Sequence, residues 1–331
     1  MLVFHTGALG DLVLAAPVAL ALTRLYPTSR VRWVGPRQKG ELMSRLAGVE
    51  PVDVEGGFSA LHAEGATVAP AVERLLAQSH RVVSFVAEPG DVWSRRVATL
   101  APSATLTWLR LRPPADWQDP VSGSRHAADH LVWQCGRAEQ GGDVSLGEAA
   151  RQMRAHMESA GVLPRRAVSP EAPVLLHPGS GSAAKCWPLD RYRELALLLR
   201  DRLGRPIVWC VGEVERERWR RDEWEAMAAL GEVVACDTLT GLLEQLRGAA
   251  VVVGNDSGPG HLAAAAGVPV VSVFGPTDPA VWKPLGPRVK VVVAPEGDLR
   301  RLGVGPVLDA VVRMPERERL PSDTRDEPDE D

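Results

Sequence analysis

The segment 251–286 constrains the fold most, because it alternates two short apolar runs with turns and one small helix. Residues 251–253 are all valine, which predicts a strand buried on both faces. Turn-forming residues follow, Pro259 suits the first turn of a helix, and residues 270–274 predict the next buried strand. Strands joined through helices form parallel sheets, which bind ligands, anions in particular, where a strand's carboxyl end feeds a helix N-terminus.

The same alternation runs through both halves of the chain. In the first half, strands are predicted at 2–5, 31–34, 81–86 and 105–109, and helices at 11–26, 69–77, 91–100 and 148–160. In the second half, strands are predicted at 174–177, 206–211, 233–235, 251–253 and 270–274, and helices at 189–203, 214–230, 238–248, 259–266 and 303–313. Residues 112–129 are typical of a long loop, and the proline-rich segment 163–173 of a linker.

This pattern predicts an α/β protein with two doubly wound parallel-sheet domains, at 1–165 and 172–312, that face a central cleft. A length of 331 residues suits two such domains. From Arg313 to Asp331 the chain carries 4 basic and 8 acidic residues, which predicts a disordered acidic tail at 313–331. The preceding part is neutral overall, which argues against a nucleic-acid partner.

The four cysteines are widely spaced, which predicts a reducing compartment and no structural zinc: Cys135, Cys186, Cys210 and Cys236. The chain passes directly into a strand, so no signal peptide is expected. No apolar stretch reaches the ~18–20 residues that span a bilayer. We therefore expect a cytoplasmic protein, or one peripheral to a membrane.

The first candidate site is the loop 5–11, between the first strand and the first helix. Gly7 and Gly10 permit a tight turn and close approach of a ligand to the backbone. Their spacing is neither the dinucleotide fingerprint nor a P-loop, so NAD is not expected. Asp11 is open to two interpretations, a helix N-cap or a functional carboxylate.

The second candidate is the small-residue loop 177–188. Ser180, Ser182 and the free backbone N–H groups can cradle phosphate oxygens. Lys185 adds a compact positive charge and is one of only four lysines among 38 basic residues. The alternatives are a neutral surface loop and, for His177, a satisfied histidine at a strand end.

Two further candidates follow later strands. Glu213 and Glu215 can accept the hydroxyls of a ribose, or simply favour a helix start. In the segment 251–286, Asp256 can cap a helix or hold sugar hydroxyls, and its polar neighbours are Ser257, His261, Thr277 and Asp278. No group has the spacing of metal ligands, and no GxSxG nucleophile is present.

Together these segments resemble glycosyltransferase family 9, the bacterial ADP-heptose:lipopolysaccharide heptosyltransferases. The similarity rests on GALGDLVLAAP, HPGSGSAAKCWP and GNDSGPGHLAAAAGVPVVSVFGPTDP, and extends over residues 1–312. It implies a GT-B fold, with the acceptor in the N-terminal Rossmann-like domain and the nucleotide sugar in the C-terminal one. It also implies inverting transfer of a heptose or related sugar from an ADP-sugar to a hydroxyl of the lipopolysaccharide inner core.

The resemblance also implies roles for single residues. Asp11 matches the general base and Lys185 the lysine that contacts phosphate. The expected donor-binding residues are Ser180, Ser182, Glu213, Glu215, Asp256, Ser257, Gly258, His261 and Thr277. No metal or other cofactor is required, since Lys185 and a helix N-terminus can stabilise the leaving diphosphate.

The acceptor side departs from the family, which usually has Arg or Lys where this chain has His5, so a charge there is pH-dependent or absent. The residues expected to meet an anionic acceptor are His5, Gly7, Arg110, Arg112, Arg125 and His126. A solvated charged loop is the alternative for the arginines.

The expected partners are a nucleotide-sugar donor and a lipid-linked glycan acceptor at the inner face of the inner membrane, with the protein a monomer. Two other functions stay open. One is a transferase of the same fold that uses another nucleotide sugar for a different surface glycan, and the other is a sugar-nucleotide-binding protein without catalysis.

Overall fold

The computed structural model describes residues 1–137, 146–164, 166–212, 215–216 and 219–314. Within these ranges the N-terminal half forms a five-stranded sheet in which every pairing is parallel. Its strand order is β3-β2-β1-β4-β5, and the strands are β1 (Leu2–Phe4), β2 (Arg32–Gly35), β3 (Glu50–Asp53), β4 (Arg81–Ser84) and β5 (Thr105–Trp108). The predicted disorder of the tail beyond residue 314 lies outside the described residues.

Seven helices accompany this sheet in the described ranges. They are α1 (Leu9–Leu14), α2 (Ala16–Leu25), α3 (Arg37–Ala47), α4 (Pro70–Ala77), α5 (Val92–Leu100), α6 (Ala127–Arg137) and α7 (Leu146–Ala160). The helix predicted at 11–26 is wrong as a single element, because the chain divides at Ala15 into α1 and α2. Pro17 explains the break, since it has no N–H to bond and its ring clashes with the carbonyl one turn earlier.

The second sheet has six strands, again with every pairing parallel, in the order β11-β10-β9-β6-β7-β8. Its strands are β6 (Val174–His177), β7 (Ile207–Val211), β8 (Glu232–Ala235), β9 (Val251–Asn255), β10 (Val270–Phe274) and β11 (Val289–Val293). The helices of this half are α8 (Leu189–Leu203), α9 (Arg221–Ala228), α10 (Leu239–Gly248), α11 (Gly258–Ala265), α12 (Pro279–Trp282) and α13 (Val304–Val312). The predicted pair of doubly wound parallel sheets is confirmed. In the described part of the chain, no helix combines the length and apolar character that crossing a bilayer requires.

The central strands of the second sheet are buried on both faces, as their apolar runs predict. Every residue of β6, β7, β9 and β10 is buried. Each fully buried valine or leucine side chain contributes roughly 1.5–3 kcal/mol relative to an exposed one. The strand order reverses between β6 and β9, and such a position, beyond the carboxyl ends of the strands, is where open α/β sheets bind ligands.

Helices α1 and α11 join the two halves, and glycine makes their close contact possible. A Cβ on Gly258 would lie 2.7 Å from the Cβ of Leu9, closer than side-chain carbons approach one another. One step along, a Cβ on Gly10 would lie 3.4 Å from His261 Cδ2. The contact brings the loop after β1 beside the loop after β9.

Polar contacts link the halves on either side of this helix pair. Gln38 donates to the carbonyl of Asp237 (3.3 Å) and accepts from the N–H of Leu239 (3.1 Å). On the other side, Arg125 forms an ion pair with Asp278 at 3.0 Å. The contacts of Gln38 and Arg125, the rim contacts, therefore connect the domains outside the helix pair.

We predict that Gly258→Ala lowers the free energy of unfolding by about 1–3 kcal/mol, because the added methyl overlaps Leu9 and forces the helices apart. Gly305→Ala is the matched control, since Gly305 also lies in the first turn of a helix and its Cβ would meet open space. Urea unfolding of both variants checks this. Equal midpoints for the two would contradict the close contact.

Candidate active site

Asp11 lies in the first turn of α1, directly after the glycine loop. The N-cap is Ala8, so the interpretation of Asp11 as a helix N-cap is wrong. A Cβ on Gly7 would lie 3.2 Å from Asp11 Oδ2 and 3.1 Å from His5 Cε1, so the loop passes tightly between these side chains. The half-buried carboxylate faces the cleft rather than its own helix end.

His5 is buried beneath this loop, 2% exposed and packed against the rings of Trp33 and Phe85. Burial lowers the pKa of His5 to about 4, and the charge of Lys39 contributes in the same direction. The side chain is therefore neutral at physiological pH. The sequence left open whether the charge at residue 5 is pH-dependent or absent. At neutral pH the charge of His5 is absent.

Lys39 carries the positive charge next to the loop 5–11, a role that was not predicted from the sequence. Its Nζ donates to the carbonyls of Gly7 (2.6 Å) and Thr6 (3.2 Å), and so fixes the loop that leads to Asp11. Burial lowers the pKa of Lys39, and the opposite charge of Asp11 counteracts this. Two features of the sequence could have indicated this role. Lys39 is one of only four lysines, and it lies four residues after β2, the strand that pairs with β1.

Asn255, the last residue of β9, ties together the loops of the second domain. Its side-chain amide is fully buried and donates to the carbonyls of Pro178 (2.8 Å) and Gly179 (3.2 Å). Its side-chain oxygen accepts from the N–H of Trp187 (3.0 Å) and the hydroxyl of Tyr192 (3.1 Å). Four hydrogen bonds from one buried side chain thus hold both ends of the loop 177–188 against β9.

Asp256 follows and forms the charged centre of the site. Its carboxylate accepts from Lys185 (2.7 Å) and Thr277 (2.8 Å), and His261 Nε2 lies 3.8 Å away. Burial alone would raise the pKa of Asp256, but the His261, Lys185 and Thr277 contacts outweigh it and lower the pKa to about 2. Asp256 is therefore ionised at physiological pH and does not serve as the N-cap of α11, a position that Ser257 occupies.

A cavity of 230 Å³ joins these residues across the two domains. The predicted residues on its wall are Asp11, Ser180, Ser182, Lys185, Asp256, Ser257, Gly258 and His261. They are separated by up to 250 positions in sequence, and the contact of α1 with α11 brings them together. Trp282 of α12 also lines this cavity and was not foreseen.

A second cavity of 520 Å³ lies at the carboxyl ends of β7 and β8. Apolar groups of Val211, Leu239 and Leu242 line it, together with the polar side chains of Arg216 and Thr238. Pro259, in the first turn of α11, belongs to its wall, whereas Ser257 and Gly258 line the smaller cavity. The N-terminus of α11 therefore stands between the two cavities, where its dipole and the backbone N–H of Gly258 favour an anion.

Glu215 lies apart from both walls. Its buried carboxylate accepts from the N–H of Gly212 (2.7 Å) and fills the space that a Cβ on Gly179 would need. It thus lies between the loops that leave β6 and β7. The alternative candidate for the same role, Glu213, lies outside the described residues.

The candidate acceptor residues are not part of the smaller cavity's wall. Arg110 pairs with Glu88 at 2.6 Å, and Arg112 lies over the ring of Trp282 at 6.0 Å. His5 is buried, Gly7 is covered by its neighbours, Arg125 pairs with Asp278, and His126 contacts the carbonyl of Lys283. Of these, Gly7 adjoins the cavity wall through Ala8 and Asp11, and Arg112 reaches it through Trp282.

The family model of glycosyltransferase family 9 (heptosyltransferase) matches residues 93–306, so the chain belongs to this family. The family that the motifs indicated is thereby confirmed. Over 126 residues the chain is 36% identical to lipopolysaccharide heptosyltransferase 1 of Escherichia coli K12. The aligned part covers 38% of this chain and 39% of that protein, so the match spans well under half of the curated relative.

Solved structures share the whole architecture. E. coli heptosyltransferase WaaC with ADP aligns over 94% of this chain and 98% of its own, with a TM-score of 0.64 and 23% identity. WaaC with ADP-2-deoxy-2-fluoro heptose aligns over the same shares, with a TM-score of 0.61 and 22% identity. At these identities the likeness shows the fold, and the predicted GT-B arrangement is confirmed.

We predict that His5 makes the protein sensitive to acid. Its pKa is 6.5 when unfolded and about 4 when folded, so the unfolded state binds the additional proton between these values. Stability is thus complete above pH 6.5 and falls as the pH approaches 4, by about 3 kcal/mol for this one residue. Urea unfolding at pH 7 and pH 4 should show a smaller loss in His5→Gln than in the wild type. The same loss in both proteins would show that His5 does not titrate as its burial requires.

Proposed function

We propose that this protein is an inverting glycosyltransferase that moves a heptose, or a related sugar, from an ADP-sugar to a hydroxyl of the lipopolysaccharide inner core. One observation carries the proposal: a larger, partly apolar cavity and a small charged cavity lie on either side of a single helix N-terminus. A nucleoside diphosphate sugar has the same three parts in the same order. The family membership supports the same reaction class.

The donor is inferred to lie across α11. The nucleoside occupies the larger cavity, beside Val211 and Leu242, and the diphosphate meets the backbone N–H of Gly258 at the positive end of the helix dipole. The sugar then reaches the smaller cavity, where Asp256 accepts hydrogen bonds from its hydroxyls. WaaC was solved with ADP and with ADP-2-deoxy-2-fluoro heptose, which supports an adenine nucleotide as donor here.

Asp11 is the proposed general base. The acceptor hydroxyl oxygen attacks the anomeric carbon of the donor sugar while the bond from that carbon to the phosphate oxygen breaks. The proton of the hydroxyl passes to the Asp11 carboxylate, and ADP leaves with the bonding electrons. Lys39 holds the loop before Asp11 through Gly7 and thereby positions the base.

Lys185 and the N-terminus of α11 are proposed to stabilise the charge of the departing ADP without a metal cofactor. Lys185 is one-third exposed to the cavity, so its ammonium can contact a phosphate oxygen and keep its partner Asp256. This arrangement supplies positive charge where the diphosphate gains negative charge.

For the acceptor we propose a lipid-linked glycan reached from the inner face of the inner membrane by a cytoplasmic, monomeric protein. Arg112 is the best-supported acceptor contact, because it lies over Trp282 at the cavity wall. The other acceptor candidates stay predictions.

The proposal is tested by Asp11→Asn, which keeps the size of the side chain and removes the base. We expect transfer from ADP-heptose to a heptose-deficient lipopolysaccharide acceptor to fall by about 10²–10⁴-fold. Calorimetric affinity for ADP should stay within about twofold of the wild type. Asp201→Asn, on an exposed part of α8, is the matched control and should transfer normally.

Lys185→Met provides the reciprocal result, a weakened affinity for ADP, with Lys290→Met of β11 as its control. Transfer by Asp11→Asn above about a tenth of wild type would overturn the base assignment. A wild-type protein that binds ADP-sugars and transfers none would favour the non-catalytic binding protein. Tighter binding of a uridine or guanosine diphosphate sugar would favour the transferase for another glycan.

We further expect transfer to persist in EDTA, because Lys185 and the helix N-terminus provide the charge that a metal would otherwise supply. Rates measured in EDTA and in added Mg²⁺ should agree within about twofold. A rate that EDTA abolishes and Mg²⁺ restores would contradict the proposed role of Lys185.

A further inference from the structure

Two cysteines face each other on the wall of the larger cavity. Cys210 lies on β7 and Cys236 directly follows β8, and their sulfur atoms are 3.8 Å apart. Both line the cavity, where Cys210 is buried and Cys236 is partly exposed. The reaction proposed above uses neither thiol.

Their positions favour a bond between them. The two strands are neighbours in the sheet, and Cys236 donates its backbone N–H to the carbonyl of Val211 at 3.3 Å. A disulfide requires a sulfur–sulfur distance of about 2.05 Å, so the two atoms must approach by less than about 2 Å. Cys236 lies beyond the last paired residue of β8, Ala235, so moving it affects its own hydrogen bond to Val211 and leaves the paired residues of β7 and β8 in register.

The two thiols also differ in reactivity. The hydrogen bond from Cys210 lowers the pKa of Cys236, with a smaller contribution from Arg216, and outweighs burial and the charge of Asp237, which raise it. The same hydrogen bond and burial raise the pKa of Cys210. The partly exposed Cys236 is therefore the sulfur that ionises first, as the attacking thiol of a redox pair must.

We propose that Cys210 and Cys236 form a thiol-modification site at which hydrogen peroxide produces a reversible disulfide that blocks nucleotide binding. The Cys236 thiolate attacks a peroxide oxygen, which gives a sulfenic acid and hydroxide. The sulfur of Cys210 then attacks the sulfenic sulfur, the S–S bond forms and water leaves. The two sulfur atoms together lose two electrons, which reduce the two peroxide oxygens to the level of water.

The disulfide acts on the cavity through the turn 236–238. Drawing Cys236 towards β7 displaces Asp237, whose carboxylate pairs with Arg216 at 2.6 Å and whose carbonyl accepts from Gln38. Arg216, Asp237 and Gln38 all line the cavity. Oxidation therefore deforms the wall against which the nucleoside is proposed to lie, and a bound nucleotide shields both sulfur atoms from peroxide.

The full-length protein is treated with hydrogen peroxide, with and without saturating ADP. We expect the intact mass to fall by two hydrogen atoms and peptide mapping to link Cys210 with Cys236. ADP should slow this reaction, and the oxidised protein should bind ADP at least about tenfold more weakly until a phosphine reductant restores it. Cys186→Ser should cross-link like the wild type, whereas Cys236→Ser should not.

Separate oxidation of single cysteines without a cross-link would overturn the proposal, as would a cross-linked protein with unchanged affinity for ADP. The naming of ADP rests on the proposed function, but the cross-link does not. If the reduced protein bound no ADP, the proposed function would fail, and the mass measurement would still decide whether the pair forms a disulfide.

Discussion

The site depends on the contact between the N-terminal turns of α1 and α11. Without a side chain, Gly258 allows Leu9 to approach to a distance that any Cβ would prevent. This approach sets Asp11 of the first domain beside Lys185 and Asp256 of the second. The charged wall of the smaller cavity depends on this contact, because each domain alone supplies only part of that wall. The position of Asp11 relative to Asp256 is thus set by the absence of one methyl group.

Within the second domain, the neutral side chain of Asn255 and the charged side chain of Asp256 have different roles. Asn255 uses its four hydrogen bonds for structure and holds the loop 177–188 in place without a net charge. Its neighbour Asp256 uses its charge and holds Lys185 at the cavity. Because the loop is fixed by Asn255, the phosphate contact proposed for Lys185 requires movement of its side chain and not of the surrounding backbone. Asp256 therefore holds Lys185 in a defined orientation, while the lysine side chain stays partly exposed.

The sequence predicted those parts of the fold that local patterns determine. The bounds of β6, α8 and β10 agree with the prediction, because uninterrupted apolar runs and a regular helical period mark them. Strand β3 was missed because Glu50–Asp53 contains a proline and two acidic residues, and it forms only at the sheet edge beside β2. Lys39 was missed for a related reason: its contact with Gly7 joins α3 to a loop from which α1, α2 and β2 separate it in sequence. A contact between residues so far apart in sequence leaves no periodic pattern in the local sequence.

The size of the smaller cavity limits what the closed arrangement can hold. At 230 Å³ it lies below the roughly 300–1,000 Å³ typical of pockets for drug-sized ligands. A lipid-linked glycan of the kind proposed above would therefore place only its reacting end in this cavity. The rim contacts permit separation, since the Arg125 and Asp278 side chains are about two-fifths exposed and such pairs contribute only about 0–1 kcal/mol. The tight apolar contact of α1 with α11 therefore holds the domains together more than the charged rim contacts do, and it lies where Asp11 and Asp256 meet.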